Sequence, residues 1–119
     1  METKIAEPSL AYFRFLNLVQ ATRCEPKFPK LDLVEERLLN LLAIIWHSGE
    51  NVSVLQAMSL TFGISPTTVH RRLNTLRKKG MIGLTADEID NRIKYIVGTD
   101  LTTEYFELRA KALVNAVQA

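Results

Sequence analysis

Arg71, Asn74 and Lys78 follow one another at intervals of three and four residues, with Thr67 one turn earlier. On an α-helix this spacing puts all four on one face, because each residue turns the chain by about 100°. The chemistry such a face can do is recognition of nucleic acid. Arginine can bond guanine O6 and N7, asparagine can bond adenine N6 and N7, and lysine can neutralise a phosphate. His70, Thr68 and Thr75 flank this face. Thr67 and Thr68, close to the helix start, can donate to backbone phosphates where the helix dipole also attracts anions. The setting is cationic: from Asn51 to Ala86 there is no acidic residue, while Arg71, Arg72, Arg77, Lys78 and Lys79 crowd one short stretch. The formal net charge of the chain is only +2, so this is a local patch on a nearly neutral protein.

The elements that would position this patch are legible in the punctuation. Ser65 before Pro66 reads as an N-cap and first helical position, and Gly80 as a C-terminal stop, which predicts a helix over 66–79. Val69, Leu73 and Leu76 form its inner stripe. Arg72 lies near that packing side and is expected to reach sideways to a phosphate or an acid. Upstream, Ser53 caps a short helix whose Val54, Leu55 and Met58 are expected to pack inward, with Phe62 at its end and Gly63 as the turn. Two helices joined by a glycine-containing turn, the second cationic, make a helix-turn-helix. After Gly80 the period changes. Met81, Ile82 and Leu84, then Ile93, Tyr95, Ile96 and Val97, form two apolar runs around a polar turn of residues 87–92, which predicts a β-hairpin.

These residues resemble a known family. Met58, Ser59, Phe62, Gly63, Ile64, Ser65, Thr68 and Val69, then Leu76, Arg77, Lys78, Lys79, Gly80, Met81 and Ile82, are similar to the winged helix-turn-helix core of MarR-type bacterial transcription regulators. The resemblance spans about the middle half of the chain, and it extends to the wing signature through Asp87, Asp90 and Arg92. It implies that Arg92 is held near the wing tip within reach of a minor groove. It further implies dimerisation through terminal helices. Leu101 and Thr102 follow the wing after an additional Gly98, Thr99 and Asp100. Arg92 and Lys94 are the wing's bases, facing three acids, Asp87, Glu88 and Asp90.

The flanks speak to assembly. An N-terminal helix over 8–23 would spread Ala11, Tyr12, Phe13, Phe15, Leu16, Leu18 and Val19 over more than half its circumference, leaving Arg14, Asn17 and Gln20 on a narrow face. A C-terminal helix over 102–118 would do the same with Tyr105, Phe106, Ala110, Ala112, Leu113, Val114, Ala116 and Val117. These helices can cover each other within one chain, or they can form a homodimer seam carrying Phe13, Leu16, Phe106, Leu113 and Val117. Between the first helix and the core, Pro26 and Pro29 bar a regular helix. Asp32 and Glu35 then have capping-box spacing, and Leu38, Leu39, Leu41, Leu42, Ile45 and Trp46 form the central core helix before Gly49. His47 is expected to face solvent.

Length and composition fit one domain: 119 residues, of which 47% are hydrophobic, can bury a single core. The expected fold class is mainly α with a small β-hairpin, a winged helix-turn-helix core over 32–99 with additional terminal helices. Cys24 is the only cysteine, which excludes an intramolecular disulfide and a CxxC metal site and suits a reducing cytoplasm. No apolar run approaches the ~20 residues that span a bilayer. With two separated histidines, no G-x-S-x-G and no phosphate-cradling glycine loop, no catalytic constellation is visible, so neither an enzyme, a cofactor nor a metal is expected. The leading expectation is a cytoplasmic homodimer that binds double-stranded DNA sequence-specifically through the helix 66–79, with Ser65, Thr67, Thr68, His70, Arg71, Asn74, Lys78, Arg92 and Lys94 as contacts. The alternative is a winged helix used for protein interaction in a larger assembly. Operator, sign of regulation and any small-molecule effector are not specified by these residues.

Overall fold

The computed structural model describes residues 4–60 and 63–118, so Phe62, expected at the end of the short helix, lies outside the described residues. In chain order the elements are α1 (Pro8–Arg23), α2 (Leu33–His47), α3 (Val54–Ala57), α4 (Pro66–Lys78), β1 (Ile82–Ala86), β2 (Lys94–Gly98) and α5 (Asp100–Val117). They fall into two compact units, one running from Leu31 to Thr102 and the other made of the residues up to Lys30 together with those from Thr103 onward.

The central unit is organised by α2. Its capping box is complete: the Asp32 carboxylate accepts from the Glu35 amide at 2.7 Å, and Glu35 accepts in return from the Asp32 amide at 3.0 Å. Leu38, Leu39 and Leu42 are fully buried, as are Val69 and Leu76 of α4, with Leu73 nearly so. These are the stripes expected from helical periodicity, each placed by the 3.6-residue turn. The two strands pair antiparallel with Ile82 opposite Gly98 and Ala86 opposite Lys94. The segment before α3 joins them, since the Ile96 amide donates to the Val52 carbonyl at 2.8 Å and Ser53 bridges to Tyr95. Trp46 fastens β2 to α2 by donating its indole N–H to the Ile96 carbonyl at 3.0 Å.

α4 ends where the sequence predicts. Lys79 is its C-cap and Gly80 follows at φ +79°, a left-handed conformation that a Cβ would disfavour. The Gly80 and Met81 carbonyls just beyond accept from the hydroxyls of Thr99 and Thr102. Thr99 also accepts from the Thr102 amide at 3.2 Å, so α5 is capped there and starts at Asp100, two residues before the expected start at 102. A second departure concerns α3. Leu55 does not pack inward but is 79% exposed, because α3 is a single turn and buries only the small Ala57 completely.

In the second unit, α1 and α5 bury mainly small residues, Ala11 and Val19 on α1 and Ala112 and Ala116 on α5, with Tyr105. The Arg14 guanidinium donates to the Asn115 and Gln118 carbonyls at 3.0 and 2.5 Å, satisfying the last turn of α5 and complementing its dipole. Tyr105 stacks edge-on against both Phe28 and Phe106. Large apolar side chains stay outside: Phe13 is 62% exposed, Leu113 53% and Leu16 45%, with Tyr12, Val114 and Val117 beside them in the exposed class.

Candidate nucleic-acid interface

The cap of α4 forms as its sequence requires. Ser65 Oγ accepts from the Thr68 amide at 3.2 Å and lies 2.9 Å from Thr68 Oγ1, so the two hydroxyls are hydrogen-bonded to each other at the helix start. Thr67, His70, Arg71, Asn74 and Lys78 are all exposed, and Arg71, Arg77 and Lys78 enter no ion pair among the described residues. Asn74 and Lys78 share a hollow of about 410 Å³ with Arg77.

The five bases of the run are not equivalent. Arg72 turns toward the start of α2, where Nη1 meets Asp32 Oδ2 at 3.2 Å, as expected for a base near the packing side. Lys79 Nζ lies 2.6 Å from Glu35 Oε1. Burial pushes the Glu35 carboxyl up, but bonds from the Asp32 amide, Lys79 and Thr75 more than undo this and leave it below the usual carboxylate range. Two of the five cations are thus committed to carboxylates at a half-buried edge, and Arg71, Arg77 and Lys78 carry the outward charge.

The opposite edge of α4 faces the hairpin across a concavity of about 470 Å³, lined by His70, Asn74 and Arg77, by Leu84, Arg92 and Lys94, and by Leu55. Sequence reasoning did not single out Arg77 or Leu55 as site residues. Arg77 lies seven positions after His70, two helical turns along one edge, so a projection including the wing would have found it. Leu55 carries no such signal, since an apolar residue in a short helix ordinarily packs inward.

At the hairpin tip Asp87 accepts from the Ile89 and Asp90 amides at 3.0 and 2.9 Å and from the Tyr95 hydroxyl at 3.0 Å. Asp90 holds Arg92 through Nε at 2.9 Å and Nη2 at 3.0 Å. Backbone amides, with the Tyr95 hydroxyl, hold the Asp87 carboxyl below its ordinary range, and the Arg92 guanidinium does the same for Asp90. Carboxyls depressed in the folded chain contribute order above their unfolded value of about 3.9 and lose it as pH falls through the depressed values. The tip is therefore expected to keep its structure above about pH 5 and to loosen on further acidification. The Ile89 and Asp90 amide shifts in an NMR pH titration check this, and shifts unmoved down to the global acid transition would refute it. Ile89 at this tip is almost fully exposed.

Among the described residues, no three of His, Cys, Asp and Glu converge in a group that could hold a metal, and no helix is long and apolar enough to cross a membrane. No protein-family model matches the chain, and no curated protein matches it by sequence. Its fold does match solved structures. It is similar to a transcriptional regulator from Thermotoga maritima at a TM-score of 0.61 and 18% identity, covering 91% of this chain and 68% of that one. The heme sensor protein PefR from Streptococcus agalactiae, in complex with heme, matches at a TM-score of 0.59 and 17% identity over 87% of this chain and 67% of its own. A MarR-like transcriptional regulator, also from Thermotoga maritima, matches at a TM-score of 0.58 and 14% identity over 93% and 80%. The chain thus has the winged helix-turn-helix fold of MarR-like transcriptional regulators.

Proposed function

We propose that this chain is a transcription regulator that binds double-stranded DNA sequence-specifically, laying α4 in the major groove and the hairpin along the adjacent backbone. The observation that carries this is the outer face of α4. Arg71 and Asn74 stand exposed between Thr67 and Lys78, a base-reading pair flanked by phosphate-binding groups. Arg77 and Lys94 line the concavity beside it, where a phosphate backbone would pass. Arg92 stays exposed while Nε and Nη2 hold Asp90, so a minor-groove contact would be made against the pull of that carboxylate.

The regulator acts as a homodimer, in the cytoplasm where its DNA lies. One recognition helix covers too few base pairs to stand out among genomic sites, whereas a two-fold pair combines two half-sites. The exposed apolar side chains of α1 and α5, Phe13, Leu16, Leu113 and Val117 with Phe106 beside them, supply the seam.

Selection from random duplex, followed by titration of the selected and a scrambled duplex at two salt concentrations, tests the proposal. The expected result is a palindromic preference on a steep salt dependence, because each phosphate contact releases counterions. Salt-independent binding, or equal affinity for both duplexes, would refute it.

A further inference from the structure

Arg72, Thr75 and Lys79 lie within an arc of ~60° on α4, along the edge between its core stripe and its outer face. The first turn of α2 and its cap engage all three. Besides the Arg72 to Asp32 pair, Thr75 Oγ1 donates to Glu35 Oε2 at 2.8 Å and Lys79 Nζ donates to Glu35 Oε1 at 2.6 Å. Glu35 itself is only 1% exposed. An ion pair with one buried partner is a costly way to hold two helices together, since desolvation of that partner offsets much of the attraction and well-packed apolar side chains do as well. What its bonds add is orientation. Val69, Leu73 and Leu76 set how closely α4 approaches the core, but dispersion contacts change gradually as a helix rolls about its axis. Hydrogen bonds weaken steeply with misalignment.

The geometry points to Glu35 as a positioning residue for base reading: by gripping Thr75 and Lys79 it sets the roll of α4 that turns Arg71 and Asn74 outward. This rests on the duplex-binding role proposed above. It also gives Lys79 a different task from its neighbour Lys78, since the first orients the helix and the second meets phosphate. A roll error of a single residue step, ~100°, would carry Arg71 toward the flank and Asn74 off the base edges.

The test replaces the polar grip by apolar side chains of similar size, Glu35→Met with Thr75→Val and Lys79→Met, in the full chain. Glu35→Gln serves as a second, gentler variant: its one carbonyl oxygen can still accept from the Asp32 amide and Lys79, while the charge and the acceptor for the Thr75 hydroxyl are lost. Each is titrated against the selected and the scrambled duplex, with the folded fraction measured by circular dichroism. The expected result is a folded triple variant whose affinity for scrambled duplex and salt slope are unchanged, while its preference for the selected duplex falls by roughly tenfold or more. Glu35→Gln should lose part of that preference. Preference retained in both variants at full folding would overturn the role of Glu35. So would an equal loss on both duplexes with a salt slope shallower by about one, which would make Lys79 a phosphate contact. An unmodified chain with no preference at all would instead overturn the duplex-binding proposal itself.

Discussion

Arg71→Ala and Asn74→Ala are each expected to weaken binding to the preferred duplex by about 1–3 kcal/mol while changing affinity for scrambled duplex much less. Both side chains are exposed and α4 is held by its buried stripe, so neither change should disturb the fold. The two should differ in salt response. Asn74 is neutral and its loss leaves the slope intact, whereas Arg71 carries charge and can shallow it. Lys78→Ala provides the contrast: it should weaken every duplex alike and shallow the slope by about one. Arg77→Ala should behave as Lys78→Ala does, because it is an exposed cation beside Lys78 that enters no ion pair among the described residues and also lines the concavity toward the hairpin. Competition titrations with selected and scrambled duplex decide between these behaviours. Equal losses on both duplexes for Arg71→Ala and Asn74→Ala would remove their base-reading role.

The largest effect is expected from the terminal helices. Leu16→Glu with Leu113→Glu should convert the homodimer into a folded monomer that no longer distinguishes a palindrome from a single half-site. The single chain tolerates the changes because both side chains already stand about half exposed. A two-fold seam does not tolerate them: burying the exposed half of each leucine contributes roughly 0.8–1.5 kcal/mol, so four contribute about 3–6 kcal/mol per dimer, and the cost of burying four charges is added to their loss. Such losses are comparable with the ~8 kcal/mol that corresponds to micromolar association. Light scattering and duplex titration read the outcome together. An unmodified chain that is monomeric at micromolar concentration, with and without DNA, would refute the seam and leave these apolar faces without this partner.

Much of the architecture is encoded within a few neighbouring residues, and this part was legible in the sequence. Ser65 before Pro66, Gly80 after Lys79 and the Asp32 to Glu35 spacing each resolve a helix end locally, by satisfying or omitting specific backbone groups. The apolar stripes of α2 and α4 follow from periodicity alone, and so does the outward placement of Arg71, Asn74 and Lys78. What the sequence could not decide is which cations remain outside. Lys79 and Thr75 meet Glu35 across separations of 44 and 40 residues, and no local rule says that one carboxylate will close its own capping box and grip a second helix as well. The same holds for Leu55, whose exposure depends on how little of a one-turn helix the core can cover, and for the hollow that brings Arg77 of α4 beside Lys94 of the hairpin. Local chemistry determined the elements and the exposed outer face of α4. Tertiary packing divided the basic run into Arg72 and Lys79, paired with carboxylates at the start of α2, and Arg71, Arg77 and Lys78, left exposed, because burial and charge pairing are properties of surfaces brought together rather than of a sequence window.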